Sequence, residues 1–252
     1  MMQRLCFADA GEAADLAAFL ARLIHYDRAA AVRLKAGGGV LGVFGRPPSF
    51  EVLAVRTARL AGEETGGAGP LDVTVSAGQL VDALDAARAE GTTEGGGLPV
   101  VVPEAVTGPP WAGVLPPRGG WQRVEGLPGP EAVRATVAAA VAEFRSRDAA
   151  LPEQRRTRAE RDRIGREIWS RTLGDTGLPL RAVHAAQALG FLRPVEMAAA
   201  GASLHRARGG STALAPQPLA LFAARGWLRL STPYGSIAVR TGGLRDLAVM
   251  PA

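Results

Sequence analysis

Apolar residues recur at Leu16, Phe19, Leu20, Leu23 and Ile24, the i, i+3, i+4, i+7, i+8 spacing that puts them on one helical face. The spacing predicts a helix over 11–25, with Asp9 and Glu12 near its start, where negative charge suits the helix dipole. Strand-like runs follow at 30–35 and 40–44, separated by Gly37-Gly38-Gly39, and a third at 50–60 after Arg46-Pro47-Pro48. Both faces of the third run are largely apolar, which predicts a central strand. A fourth strand is expected at 71–75, followed by Ser76 as N-cap of a helix carrying Leu80, Val81 and Leu84. Residues 61–70 and 91–97 are Gly-rich and read as loops, the second leading into a short buried strand at 98–102.

Seven prolines between 103 and 130 exclude helix there. The same stretch carries Trp111, Val114, Leu115 and Trp121, which is unlike a disordered linker and predicts an ordered strap on the protein surface. Beyond Pro130 the period becomes helical. Val133, Val137, Val141 and Phe144 form one stripe, and Ile164, Ile168, Trp169 and Leu173 form the inner face of a helix over 152–173. A nearly all-apolar helix is expected over 179–191, with shorter ones over 194–206 and 216–225. Alternation at 227–230 and 236–240 around Thr232-Pro233-Tyr234-Gly235 then predicts a terminal β-hairpin. The fold class is α+β. A mixed or antiparallel sheet with two helices spans 1–102, the Pro/Trp-rich strap spans 103–130, and a helical part ending in the hairpin spans 131–252.

Composition narrows the chemistry. The 252 residues are 47% apolar, which suits one large domain or two small ones with a real core. No apolar run approaches the roughly 20 residues of a membrane span, and Asp9 and Glu12 arrive before any signal-peptide core. Cys6 is the single cysteine, which excludes an internal disulfide and Cys-rich zinc sites. The expected setting is the reducing cytoplasm, with no membrane partner.

The net charge is +5, and of 29 cations all but Lys35 are arginine. Two readings stand open: arginine replacing lysine wherever a solvated cation is needed, or an anion-binding surface. The candidates for anion or nucleic-acid contact are Arg155, Arg156, Arg158, Arg163 and Arg166 on one helix, with Arg206 and Arg208 beyond it. Carboxylates at i, i+3 and i+4 in that helix offer the blander outcome of a solvated, paired face.

Catalytic signatures are missing. Gly37 to Gly42 matches G-x-G-x-x-G, but no helix can begin at Val43-Phe44-Gly45-Arg46-Pro47, so it reads as a hairpin turn. No pair among His25, His184 and His205 sits at i, i+4, only His25 has a carboxylate at ligand spacing, in Asp27, and no G-x-S-x-G, S-x-x-K or H-E-x-x-H occurs. Cys6, between Leu5 and Phe7, reads as an apolar anchor. No catalytic, cofactor-binding or metal-ligating residue is assigned. Trp111, Arg118 and Trp121 on the strap are the candidate partner-binding residues, since Trp and Arg dominate interface energetics. Alternatively the two indoles seal a seam between sheet and helices.

The strings GVFGRPPSFEVLAVR, PPWAGVLPPRGGWQ, EIWSR and LPLRAVHAAQALGFL resemble uncharacterised proteins of high-GC actinobacteria. That resemblance implies a cytoplasmic setting and no specific activity. The segment LALFAARGWL is similar to the last helix and first wing strand of a winged helix-turn-helix, although the implied recognition helix over 216–225 holds one cation, Arg225. LDVTVSAGQLVDAL is similar to a strand-to-helix step of a sliding-clamp repeat. The expected function is a non-catalytic cytoplasmic interaction or regulatory protein acting through protein–protein contacts. The alternative is nucleic-acid binding through the winged-helix-like region and the Arg-rich helix.

Overall fold

The computed structural model describes residues 3–62, 71–194 and 219–241. The chain runs β1 (Arg4–Phe7), α1 (Ala10–Tyr26), β2 (Ala31–Gly37), β3 (Val40–Gly45), β4 (Leu53–Arg59), β5 (Asp72–Ser76), α2 (Ala77–Glu90) and β6 (Leu98–Val101). It continues with β7 (Gln122–Val124), α3 (Pro130–Ala149), α4 (Arg158–Trp169), α5 (Leu180–Ala188), β8 (Ala220–Ala224), β9 (Trp227–Thr232) and β10 (Gly235–Arg240). This is the expected α+β class.

Local chemistry sets the boundaries. Asp9 caps α1 by accepting from the Glu12 amide at 2.9 Å, and Ser76 caps α2 by accepting from Gln79 at 3.5 Å. Gly38 and Gly39, at φ 59° and 72°, make the tight turn between β2 and β3. Thr157 accepts from the Glu160 amide at 3.3 Å. That cap starts α4 at Arg158, later than the Pro152 expected from periodicity.

Strands from both ends of the chain form one sheet, in the order β5-β2-β3-β4-β10-β9-β8-β7. Every pairing is antiparallel. The predicted central strand is central, because β10 pairs with β4 through Ile237 opposite Ala54 and joins the two halves. β1, which the sequence showed only as an apolar anchor, pairs with β6 in a separate two-stranded sheet. Leu5 and Phe7 are buried there.

The helix expected over 216–225 is corrected. Residues 220–224 are strand β8, paired with β9 on one side and β7 on the other. A five-residue apolar run fits a buried strand as well as a helix. Arg225 and Gly226, both at positive φ (41° and 77°), make the two-residue hairpin that decides the matter. The recognition helix of the winged-helix likeness is therefore not formed over 220–225. The helix expected over 194–206, and the loop at 63–70, lie outside the described residues.

Register divides the sheet into two faces. Val32, Leu34, Leu41, Val43, Ala54, Ala58, Leu221, Leu230 and Ile237 share the face that packs on the helices, all of them buried. They join Leu16, Phe19 and Leu20 of α1, Leu80 and Leu84 of α2, and Val183 of α5 in one core. The opposite face carries Leu53, Val55, Ala220, Ala224 and Ala238, buried as well but outside that core. The strap accounts for this second layer. It bridges Val75 at Ala105, donates from the Val106 amide to the Thr74 carbonyl at 2.8 Å, buries Ala112 and ends as β7 at the far edge of the sheet. The strap thus lies on the face opposite the helices, rather than in a seam between sheet and helices.

Among the described residues no helix is long and apolar enough to cross a membrane.

Candidate functional site

Two arginines that point away from the helices tie down the strap. Arg33 in β2 donates to the Ala112 carbonyl and makes a two-pronged contact with Asp72, at 2.7 and 3.0 Å. The Arg33 hydrogen bond, reinforced by Lys35 at 2.6 Å, pulls the Asp72 carboxyl down to about 2. At the other end the Trp121 ring lies 5.8 Å from the Arg229 guanidinium, and its Nε1 donates to the Pro117 carbonyl at 3.0 Å. Arg229 donates from Nε to Ser236 Oγ at 3.0 Å and has no carboxylate partner among the described residues. Burial pushes its pKa down.

Trp121 is consequently a partly buried anchor, Trp111 is partly buried, and Arg118 is exposed in the loop between them. Four large hydrophobic residues are exposed among those described: Tyr26, Val40, Val106 and Val114. Two of them, Val106 at 39% and Val114 at 45%, sit on the strap. The three strap residues singled out from sequence therefore belong to one segment on one face.

The Arg-rich helix behaves differently. Glu160 accepts from both Arg155 and Arg163, and Arg161 reaches Asp148 of α3 at 2.8 Å. Arg147 of α3 reaches Glu167 at 2.7 Å, and Arg171 reaches Glu143 at 2.6 Å. Arg156 donates to the Leu151 and Ala149 carbonyls at 3.0 and 3.2 Å, where the helix dipole favours a cation. Arginine hydrogen bonds hold Glu143, Glu160 and Glu167 below the usual carboxylate range. These arginines clamp α4 to α3. Arg158, 96% exposed, makes a long 3.8 Å contact with Asp162, and exposed Arg166 has no ion pair among the described residues. Arg206 and Arg208 lie outside the described residues.

A third cluster was not singled out from the sequence. Arg56 sits in β4 opposite Val43, on the helix face, with 9% of its surface exposed. Its Nη2 donates to Asp15 at 2.8 Å, its Nη1 to the Tyr234 carbonyl, and its buried Nε has no partner. Arg193 donates to the other oxygen of Asp15 at 3.3 Å and stacks over the Tyr234 ring at 3.9 Å. Strand alternation carried the signal, because Arg56 shares its inward parity with Ala54 and Ala58.

His25 and His184 sit in an aromatic chain, and His205 lies outside the described residues. His184 stacks on Trp169 with centroids 4.2 Å apart and meets the edge of Phe50 at 5.1 Å. Burial lowers its pKa. His25 meets Tyr26 edge-on. No group of three or more His, Cys, Asp or Glu that could hold a metal occurs among the described residues.

These features define an α+β protein built on one antiparallel sheet, with helices on one face and a Pro/Trp strap on the other. Residues 116–244 match the domain of unknown function DUF8185, and residues 1–113 match the domain of unknown function DUF8010. The DUF8185 match covers more than half of the chain, and the protein belongs to that family. The break between the two matches falls within the strap, so each match contributes four strands to the eight-stranded sheet. No curated protein and no solved structure matches the chain.

Proposed function

We propose that the chain is a non-catalytic interaction or regulatory protein of the cytoplasm that engages a partner protein through the outer face of its strap. The observation that carries this reading is the exposure of Val106, Val114 and Arg118 along the strap that also holds Trp111 and Trp121. Exposed apolar residues on a segment that carries Trp and Arg are the makings of an interface. The Arg33 and Arg229 contacts hold the strap in place before binding, which lowers the ordering cost of association. The single cysteine supports a reducing compartment.

The test compares full-length wild type, a Val114→Asp/Arg118→Glu variant and Trp121→Ala, each purified from the native host under gentle salt. A protein that co-purifies in fixed stoichiometry with wild type and is lost from the double variant, at unchanged melting temperature, supports the reading. Wild type that purifies alone, or a companion retained by the double variant, contradicts it.

A second reading, nucleic-acid contact through the Arg-rich helix, is supported by exposed Arg158, whose contact with Asp162 is a long 3.8 Å, and by exposed Arg166, which has no ion pair among the described residues. It requires a retarded DNA or RNA complex whose affinity falls steeply with salt. The absence of any complex at low salt would dismiss it.

A further inference from the structure

The cluster around Arg56 lies apart from the strap and is unbalanced in charge. Asp15 and Arg22 of α1, Arg56 of β4, Gly190 and Arg193 after α5, and Tyr234 of the β9–β10 turn line one small open recess. Among the described residues, three guanidinium groups face a single carboxylate there. A buried arginine is tolerated when charge and hydrogen bonds compensate it. Here Asp15 is shared between Arg56 and Arg193, and Arg56 Nε is left with no acceptor.

Backbone geometry brings the third arginine in. Gly190 holds φ at +76°, and a Cβ there would stand 2.9 Å from Arg22 Cζ and 3.0 Å from its Nε. The bare glycine therefore gives the Arg22 head its place against the chain. Arg22 Nη1 donates to the Ala18 carbonyl at 3.1 Å, which is a neutral partner. Asp15 is in effect one bridging anion, and the charges around it leave room for a second.

We propose that this recess, formed where Arg22, Arg56 and Arg193 meet beside Tyr234, receives a phosphoryl group. Among the described residues the lining has an excess of two positive charges, which matches a dianion. Donors arriving from a helix, a strand and a turn match a tetrahedral group with several acceptor oxygens better than a planar carboxylate. The recess is shallow and open to solvent, so a phosphoryl group seats across its mouth against the arginine heads and the rest of any ester stays outside. Free phosphate and a small phosphate monoester share this chemistry.

Calorimetric titration of the full chain with inorganic phosphate tests the proposal, with sodium chloride at matched ionic strength as the control. Phosphate is expected to bind and raise the melting temperature, and chloride is not. Arg193→Gln and Arg22→Gln are each expected to weaken phosphate about tenfold or more, the usual effect of losing a charge-assisted hydrogen bond. Asp15→Asn gives a test of sign. It removes the competing carboxylate, so it is expected to lower stability without phosphate yet tighten phosphate binding. Were the cluster only an ion-pair clamp, Asp15→Asn would lower the melting temperature and gain no response to phosphate. Adenosine monophosphate distinguishes the sources: tighter binding than phosphate points to a monoester, and equal or weaker binding points to the free ion. Equal response of wild type to phosphate and chloride overturns the proposal.

Discussion

His184 shows how one half-buried side chain makes stability depend on pH. It lies between Trp169 and Phe50, and burial holds its folded pKa below the ordinary 6.5. Above that value both states are neutral and it contributes no pH dependence. As pH falls through 6.5 the unfolded chain takes up the proton first, so folding loses stability until the half-buried ring also titrates. His184→Phe keeps a ring in the stack and is expected to flatten the stability profile below pH 6.5, as measured by urea unfolding at successive pH values. At Trp121 the indole is partly buried over Arg229. Trp121→Ala is expected to cost roughly 1–3 kcal/mol, less than the ~3–5 kcal/mol of a fully buried tryptophan. Gly190→Ala forces an L side chain into the left-handed region against Arg22. The expected loss is about 1–2 kcal/mol.

Elements follow from local signals wherever those signals are unambiguous. The apolar period of α1, the Gly38-Gly39 turn and the Ser76 cap were legible because each is decided within a few residues. β8 was not, because Leu221-Phe222-Ala223-Ala224 satisfies helix and buried strand alike until β9 and β7 pair with it. The recess was missed for a similar reason: Asp15, Arg56 and Arg193 are distant in sequence, and the packing of helices on the sheet brings them together. The strap residues Trp111, Arg118 and Trp121 were legible from composition alone, but the face they cover was not.

The α3–α4 clamp carries its own expectation. Glu143, Glu160 and Glu167 have folded pKa values below the ordinary 4.5, so their contribution is complete above that value and fades as pH drops below it. Acid unfolding monitored at the α4 residue Trp169 is therefore expected to begin below about pH 4.5. Thr157→Ala, which removes the α4 cap, is expected to cost about 1 kcal/mol in the same assay.

At the scale of the whole molecule, the sheet crosses the boundary between the two family matches. β4 and β10 pair through Val55 with Ser236 and Leu53 with Ala238, so neither half closes its sheet alone. Scanning calorimetry of the full chain is expected to give one cooperative transition, with calorimetric and van't Hoff enthalpies equal. Two separated transitions would mean that the halves fold independently. A fragment of residues 1–113 exposes the β4 edge and is expected to aggregate. The strap closes over this shared sheet and holds Val106, Val114 and Arg118 outward on it. A photo-reactive residue placed at 114 in the full chain, activated in native host cells, tests the central claim most directly. One discrete protein adduct is expected, which disappears when Arg118→Glu is added and does not form from position 158. No adduct at 114, or the same adduct from both positions, would contradict it.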